Sequence, residues 1–189
     1  MVHGLSYGHN NASLEAFLKQ LDPNVTSGIA VIGRHTKDEE VQRLHDGGVR
    51  GIRLDLYGEQ AMRDLERQLG VLRFYAERVA PWGWSVGFLQ LEPSNWDTLA
   101  NLIPQLPVDV VVDHQALLKA SSMLPIGTTV QQQPGMAAIL KLLQGHNFWI
   151  KISAPYRSSE QGPSYDDMYE VVRCLVDANP HRVVYGSDW

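Results

Sequence analysis

Six short apolar runs alternate with helical stretches along this chain, and that alternation limits its fold more than any other feature. The runs centre near residues 30, 51, 87, 110, 150 and 184; Gly28-Ile29-Ala30-Val31-Ile32-Gly33 and Val108-Asp109-Val110-Val111-Val112-Asp113 are examples. Apolar, β-branched and too short for helices, they read as strands buried on both faces. Strict βα alternation dictates a parallel sheet with right-handed crossovers. A seventh strand stub is expected at Val2, because Gly4-Leu5-Ser6-Tyr7-Gly8 looks like a strand-to-helix loop.

The helical stretches follow from apolar spacing and caps. Ser13 to Leu21 places Leu14, Phe17, Leu18 and Leu21 on one face. Thr36-Lys37-Asp38-Glu39 reads as a capping box opening a helix with Val41 and Leu44 inward. A long helix is expected from about Glu59 to Arg78, and another capped by Ser94 through Leu102. A short piece is expected around Ala116 to Ala120, a helix from Pro134-Gly135-Met136, and one from Ser164 to about Ala178. No linker or shift of composition interrupts the chain, so residues 1–189 read as a single domain.

Two architectures use this alternation. An open doubly wound sheet advertises a glycine-rich phosphate turn after its first strand, and none is present. A (β/α)8 barrel places polar residues at the C-terminal ends of many strands. That pattern is here: Arg53 with Asp55, Gln90, Asp113-His114, Ser153 with Tyr156-Arg157, and Ser187-Asp188. The expectation is an incomplete α/β barrel, because 189 residues fall short of the roughly 250 that the complete fold takes.

Charge and composition narrow the function. The formal net charge is -5, from 16 basic against 21 acidic residues, with no basic run, so a nucleic-acid partner is not expected. No apolar stretch approaches the ~20 residues that span a membrane. The single cysteine, Cys174, reads as a small buried hydrophobe in a reducing, cytoplasmic setting. Asn11-Ala12-Ser13 and Asn24-Val25-Thr26 match the glycosylation sequon by chance on that view.

The strand ends hold the chemistry. Asp113-His114 aims an imidazole at the barrel mouth. Asp188, after the last strand, can act as a general base toward water or as a metal ligand. The guanidinium of Arg157 suits a substrate carboxylate, and Arg53 sits directly on a strand end. Lys151, inside a strand, reads as a salt-bridge partner.

In their order, Gly48-Val49-Arg50-Gly51-Ile52-Arg53-Leu54, Val110-Val111-Val112-Asp113-His114, Trp149 to Arg157 and Gly186-Ser187-Asp188-Trp189 resemble the amidohydrolase-related group of metal-dependent hydrolases, within it the 2-pyrone-4,6-dicarboxylate lactonase-like branch. The resemblance implies hydrolysis of a lactone, or a related ester or amide, bearing a carboxylate. It implies that Asp188 activates water and His114 polarises the scissile carbonyl. Arg53 and Arg157 would bind a small anionic substrate, with Tyr156, Ser6 and Tyr7 lining the same pocket. No cofactor is required, although the superfamily's use of zinc leaves a divalent metal open. A homo-oligomer is also open.

The resemblance begins at the family's second strand and stops at the aspartate strand, without the His-x-His of the first strand. Leu56-Tyr57-Gly58-Glu59 stands where a further arginine is usual, and Gly87-Phe88-Leu89-Gln90 lacks the lactonase tyrosine. Decarboxylation in the same superfamily and an inactive barrel fragment are the alternatives. An incomplete barrel predicts a gap between the segments near Val2 and Val184.

Overall fold

The computed structural model describes residues 1–188. Six strands form one sheet: β1 (Gly28–Ala30), β2 (Val49–Arg53), β3 (Ser85–Phe88), β4 (Val110–Val112), β5 (Phe148–Ile152) and β6 (Val183–Tyr185). Every neighbouring pair is parallel and the spatial order is the chain order. A doubly wound sheet would reverse that order at a switch point. The helices are α1 (Ala12–Leu18), α2 (Asp38–Asp46), α3 (Leu65–Val79), α4 (Trp96–Leu102), α5 (Met136–Leu143) and α6 (Tyr169–Ala178). The result is a curled half-barrel, an incomplete (β/α)8 barrel. Val2 makes one parallel bridge, to Ile29. Among the described residues, Val2 and β6 do not pair with each other, and the expected gap lies between them.

Alternation along the strands builds two layers. Phe88, Val112, Phe148 and Ile150 face the helices and are fully buried. Trp96 of α4 packs between Phe88 and Phe148, with ring centroids 6.1 and 5.9 Å away. Ile29, Ser85, Gly87 and Val111 face the lumen and, with Arg53, Asp113 and Lys151, line a cavity there. Gly51 is small for a steric reason. A Cβ at that position would sit 2.8 Å from Ile29 Cδ1 and against the Ser85 hydroxyl.

Several local expectations need correction. The Thr36 hydroxyl does not cap α2; it accepts from the Gly33 amide at 3.0 Å, and Lys37 is the N-cap. Helix α3 begins at Leu65, not Glu59, because Gln60 adopts φ +53° and Asp64 caps the helix by accepting from the Arg67 amide at 3.0 Å. Glu59 instead accepts from Arg34 and from the Tyr75 hydroxyl, both at 2.8 Å. Ser94 lies in a 3-10 turn before α4, and α6 begins at Tyr169 rather than Ser164. On α1, Leu14 and Leu18 are buried but Phe17 is 50% exposed, beside Met1, Val2 and Tyr7 at the open edge of the sheet. Leu21, also expected inward, lies past the end of α1 and is exposed. Cys174 is half-buried and accepts from Gln131 Nε2. Among the described residues, no helix is long and apolar enough to cross a membrane.

Candidate active site at the strand ends

Three strands end in the same backbone device. After β4 the chain makes a left-handed turn, with φ of +56°, +40°, +58° and +54° at His114, Gln115, Ala116 and Leu117. The short helical piece expected around Ala116 to Ala120 is displaced to a 3-10 turn at His114–Leu117 whose backbone is left-handed, a conformation that costs L-residues about 1–2 kcal/mol each. Ala154 after β5 (φ +49°) and Asp188 after β6 (φ +64°) take the same conformation singly. Such backbone persists where the surrounding structure holds it, and it concentrates at functional sites. Here it bends the chain just past β4 and β5.

These turns bring His114, Ser153, Tyr156, Arg157 and Asp188 together. His114 is 3% exposed. Its Nδ1 lies 2.8 Å from Ser153 Oγ, and its Nε2 lies 3.4 Å from Asp188 Oδ1. The other oxygen of Asp188 accepts from Arg157 Nε at 3.2 Å, from Arg157 Nη2 at 3.0 Å and from the Tyr156 hydroxyl. Burial acts to raise the Asp188 pKa, but the Tyr156 and Arg157 hydrogen bonds and the charges of His114 and Arg157 outweigh it and hold it below the ordinary carboxylate value. Burial pushes the His114 imidazole below its ordinary value, against the opposing pull of Asp113 and Asp188. The ring is therefore neutral at neutral pH, beside an ionised carboxylate. The hydrogen bond to Asp188 raises the Tyr156 pKa, keeping its proton in place as a donor.

Arg53 sits deeper. Its Nη2 is 3.3 Å from Asp113 Oδ2, while Lys151 Nζ holds Asp113 Oδ1 at 2.6 Å. Arg53 pairs in register with Gly87 of β3, and its guanidinium reaches across that strand to Asp113. Ser6 and Tyr7 lie in a one-turn 3-10 segment at the open edge, both exposed, with Tyr7 against the His3 ring at 5.5 Å. Among the described residues, neither shares a hydrogen bond or ion pair with the His114–Asp188 group. Gln90 is buried on Gln68, its Nε2 donating to Gln68 Oε1 at 2.7 Å. Asp113 as the common partner of Arg53 and Lys151 escaped the sequence reading, although all three occupy lumen-facing positions.

The residues do not assemble a metal centre by themselves. Among the described residues, no group of three or more His, Cys, Asp or Glu could hold an ion. A catalytic zinc usually takes three protein ligands. His114 and Asp188 supply two, and Arg157 already brings a positive charge to the second.

The sequence profile of the Amidohydrolase family matches residues 1–189. The chain belongs to the amidohydrolase family. It is 32% identical over 171 residues to the 2-pyrone-4,6-dicarboxylate hydrolase of Comamonas testosteroni, which covers 86% of this chain and 52% of that protein. It is 25% identical over 154 residues to the 4-sulfomuconolactone hydrolase of Hydrogenophaga intermedia, covering 79% and 46%. A crystal structure from Pseudomonas putida, assigned as a 2-pyrone-4,6-dicarboxylic acid hydrolase, superposes with TM-score 0.77 at 27% identity, covering all of this chain and 66% of that one. The chain thus spans about half the length of the curated relatives it matches. The family is one of hydrolases, and these relatives open lactones. The superfamily often uses a divalent metal.

Proposed function

We propose that this chain carries the water-activating side of a lactone hydrolase site, acting on a lactone that bears an anionic group. The observation that carries this is Asp188, an ionised carboxylate at the mouth with one oxygen toward His114 and the other held by Arg157 and Tyr156. Asp188 takes a proton from the attacking water. His114 donates from Nε2 to the scissile carbonyl as negative charge develops on its oxygen. Arg157 binds the substrate's anionic group, and Arg53 marks a second cationic position deeper in the lumen. Ser6 and Tyr7 would close the pocket from the open edge.

Arg157 has two claims on it. At rest it grips Asp188; an incoming substrate carboxylate competes for the same bidentate donors. Substrate binding then loosens Asp188 and makes it a stronger base when water is in position. The relatives' names supply the anionic groups: dicarboxylate in one, sulfonate in the other.

The test is ring opening of 2-pyrone-4,6-dicarboxylate, followed by its ultraviolet absorbance and by acid release. Turnover that falls at least ~100-fold in Asp188→Asn supports the assignment. Undiminished turnover in that variant removes Asp188 from the role of base. Carbon dioxide release without ring opening means decarboxylation instead. No turnover by the native chain on any carboxylated or sulfonated lactone makes it a non-catalytic barrel segment.

A further inference from the structure

Ser153 and Asp188 flank the His114 ring in an arrangement that inverts the familiar Ser-His-Asp triad. In that triad a buried carboxylate accepts from Nδ1–H, so Nε2 is bare and serves as a base. Here the buried partner of Nδ1 is a hydroxyl, 2.8 Å away and 3% exposed, and the carboxylate lies on the Nε2 side toward the mouth.

A buried hydroxyl proton needs an acceptor, because leaving it unpaired costs about 1–3 kcal/mol. Among the described residues, the only hydrogen-bond partner of Ser153 Oγ is His114 Nδ1. The Ser153 amide is engaged separately, donating to Gln115 Oε1 at 3.2 Å, and the Gln115 amide group turns away toward Ser158. A hydroxyl that accepted from Nδ1–H would have no acceptor for its own proton among the described residues. One that donates to Nδ1 places its proton there and leaves Nε2 as the protonated nitrogen, 3.4 Å from Asp188 Oδ1.

We propose that Ser153 is a positioning residue that holds His114 in its Nε2–H tautomer, making the imidazole a hydrogen-bond donor at the mouth and denying it the role of general base. The inference refines the hydrolase reading above and rests on it for its catalytic meaning, but its test reads protons directly. The role matters most in mid-reaction. Once Asp188 has taken a proton from water it no longer favours Nε2–H, and Ser153 alone keeps that proton aimed at the developing oxyanion. Gly186 leaves room for the neighbouring Lys151 side chain, since a Cβ there would lie 2.6 Å from Lys151 Cδ.

The experiment is proton-nitrogen correlation spectroscopy of the chain labelled with ¹⁵N-histidine, His114 being assigned by loss of its signals in His114→Gln. In the native chain, a slowly exchanging hydroxyl proton is expected to correlate across the hydrogen bond to a bare Nδ1, with the one-bond N–H signal at Nε2 only. Asp188→Asn is expected to keep that tautomer. Adding Ser153→Ala in that background should produce a second, Nδ1–H population, and Ser153→Thr should abolish it again. A one-bond Nδ1–H signal in the native chain overturns the proposal whatever the variants do. Identical tautomer populations in Asp188→Asn with and without Ser153→Ala overturn it too. Failure of the lactone assay with this proton pattern intact would count against the hydrolase reading alone.

Discussion

Asp113, just past β4, and Asp188, just past β6, are carboxylates of the lumen and mouth that are spent differently. Asp113 has each oxygen on a separate cation, Lys151 Nζ at 2.6 Å and Arg53 Nη2 at 3.3 Å, with its side chain 7% exposed. Asp188 gathers Arg157 and Tyr156 on one oxygen and turns the other to a neutral imidazole, with 16% exposure and partners open to solvent. A carboxylate saturated by two partly buried cations ties strands together and has no oxygen left for chemistry. One that is half occupied at an open mouth keeps an acceptor available. Sequence position alone does not separate them, since both stand at strand ends.

The largest effect that would break this contrast is on stability. Asp113→Ala strands two cations in the lumen and should cost on the order of 3 kcal/mol in urea unfolding, whereas Asp188→Ala should cost under ~1 kcal/mol. Equal losses would mean that both carboxylates are struts. Next comes the packing beneath Asp113. Gly51→Ala forces a methyl against Ser85 and Ile29 and should cost about 2 kcal/mol in the same measurement.

The third test uses pH at the mouth. His114 is held below its ordinary value of 6.5, so the folded state binds fewer protons there than the unfolded chain does. Its contribution to stability is complete above about pH 6.5 and is lost as pH falls from there through the folded-state value. Melting temperatures from pH 8 to 5 should show that slope, and His114→Gln should flatten it; an unchanged slope would place its origin elsewhere. The smallest effect is a titration. The carboxyl ¹³C signal of Asp188 should turn below the ordinary value of 3.8, and Arg157→Gln or Tyr156→Phe should move the midpoint back up. A midpoint indifferent to both would detach Asp188 from its two donors.

Much of this was legible before any coordinates. Runs such as Val110-Val111-Val112 read as strands because burial on both faces leaves no polar alternation, and they are β4 and its neighbours in the expected order. The gap between Val2 and β6 followed from motifs that start at a second strand and stop at an eighth. The failures are local. A Thr at 36 and a Glu at 39 make a capping box only if the hydroxyl is unclaimed, and the turn at Gly33 claims it. The helical pattern before Leu65 lost to the left-handed step at Gln60 and the cap at Asp64.

The sequence by itself determined the parallel α/β class, the strand order, the family, and which polar side chains stand at strand ends, because those properties depend on periodicity and local chemistry. Only the tertiary structure decided how the charges pair. Ser153 meets His114 across 39 residues, Lys151 meets Asp113 across 38, and Arg157 meets Asp188 across 31. The curl of the sheet and the left-handed exits at His114, Ala154 and Asp188 set those meetings, and no pattern along a single strand encodes the distance between two of them.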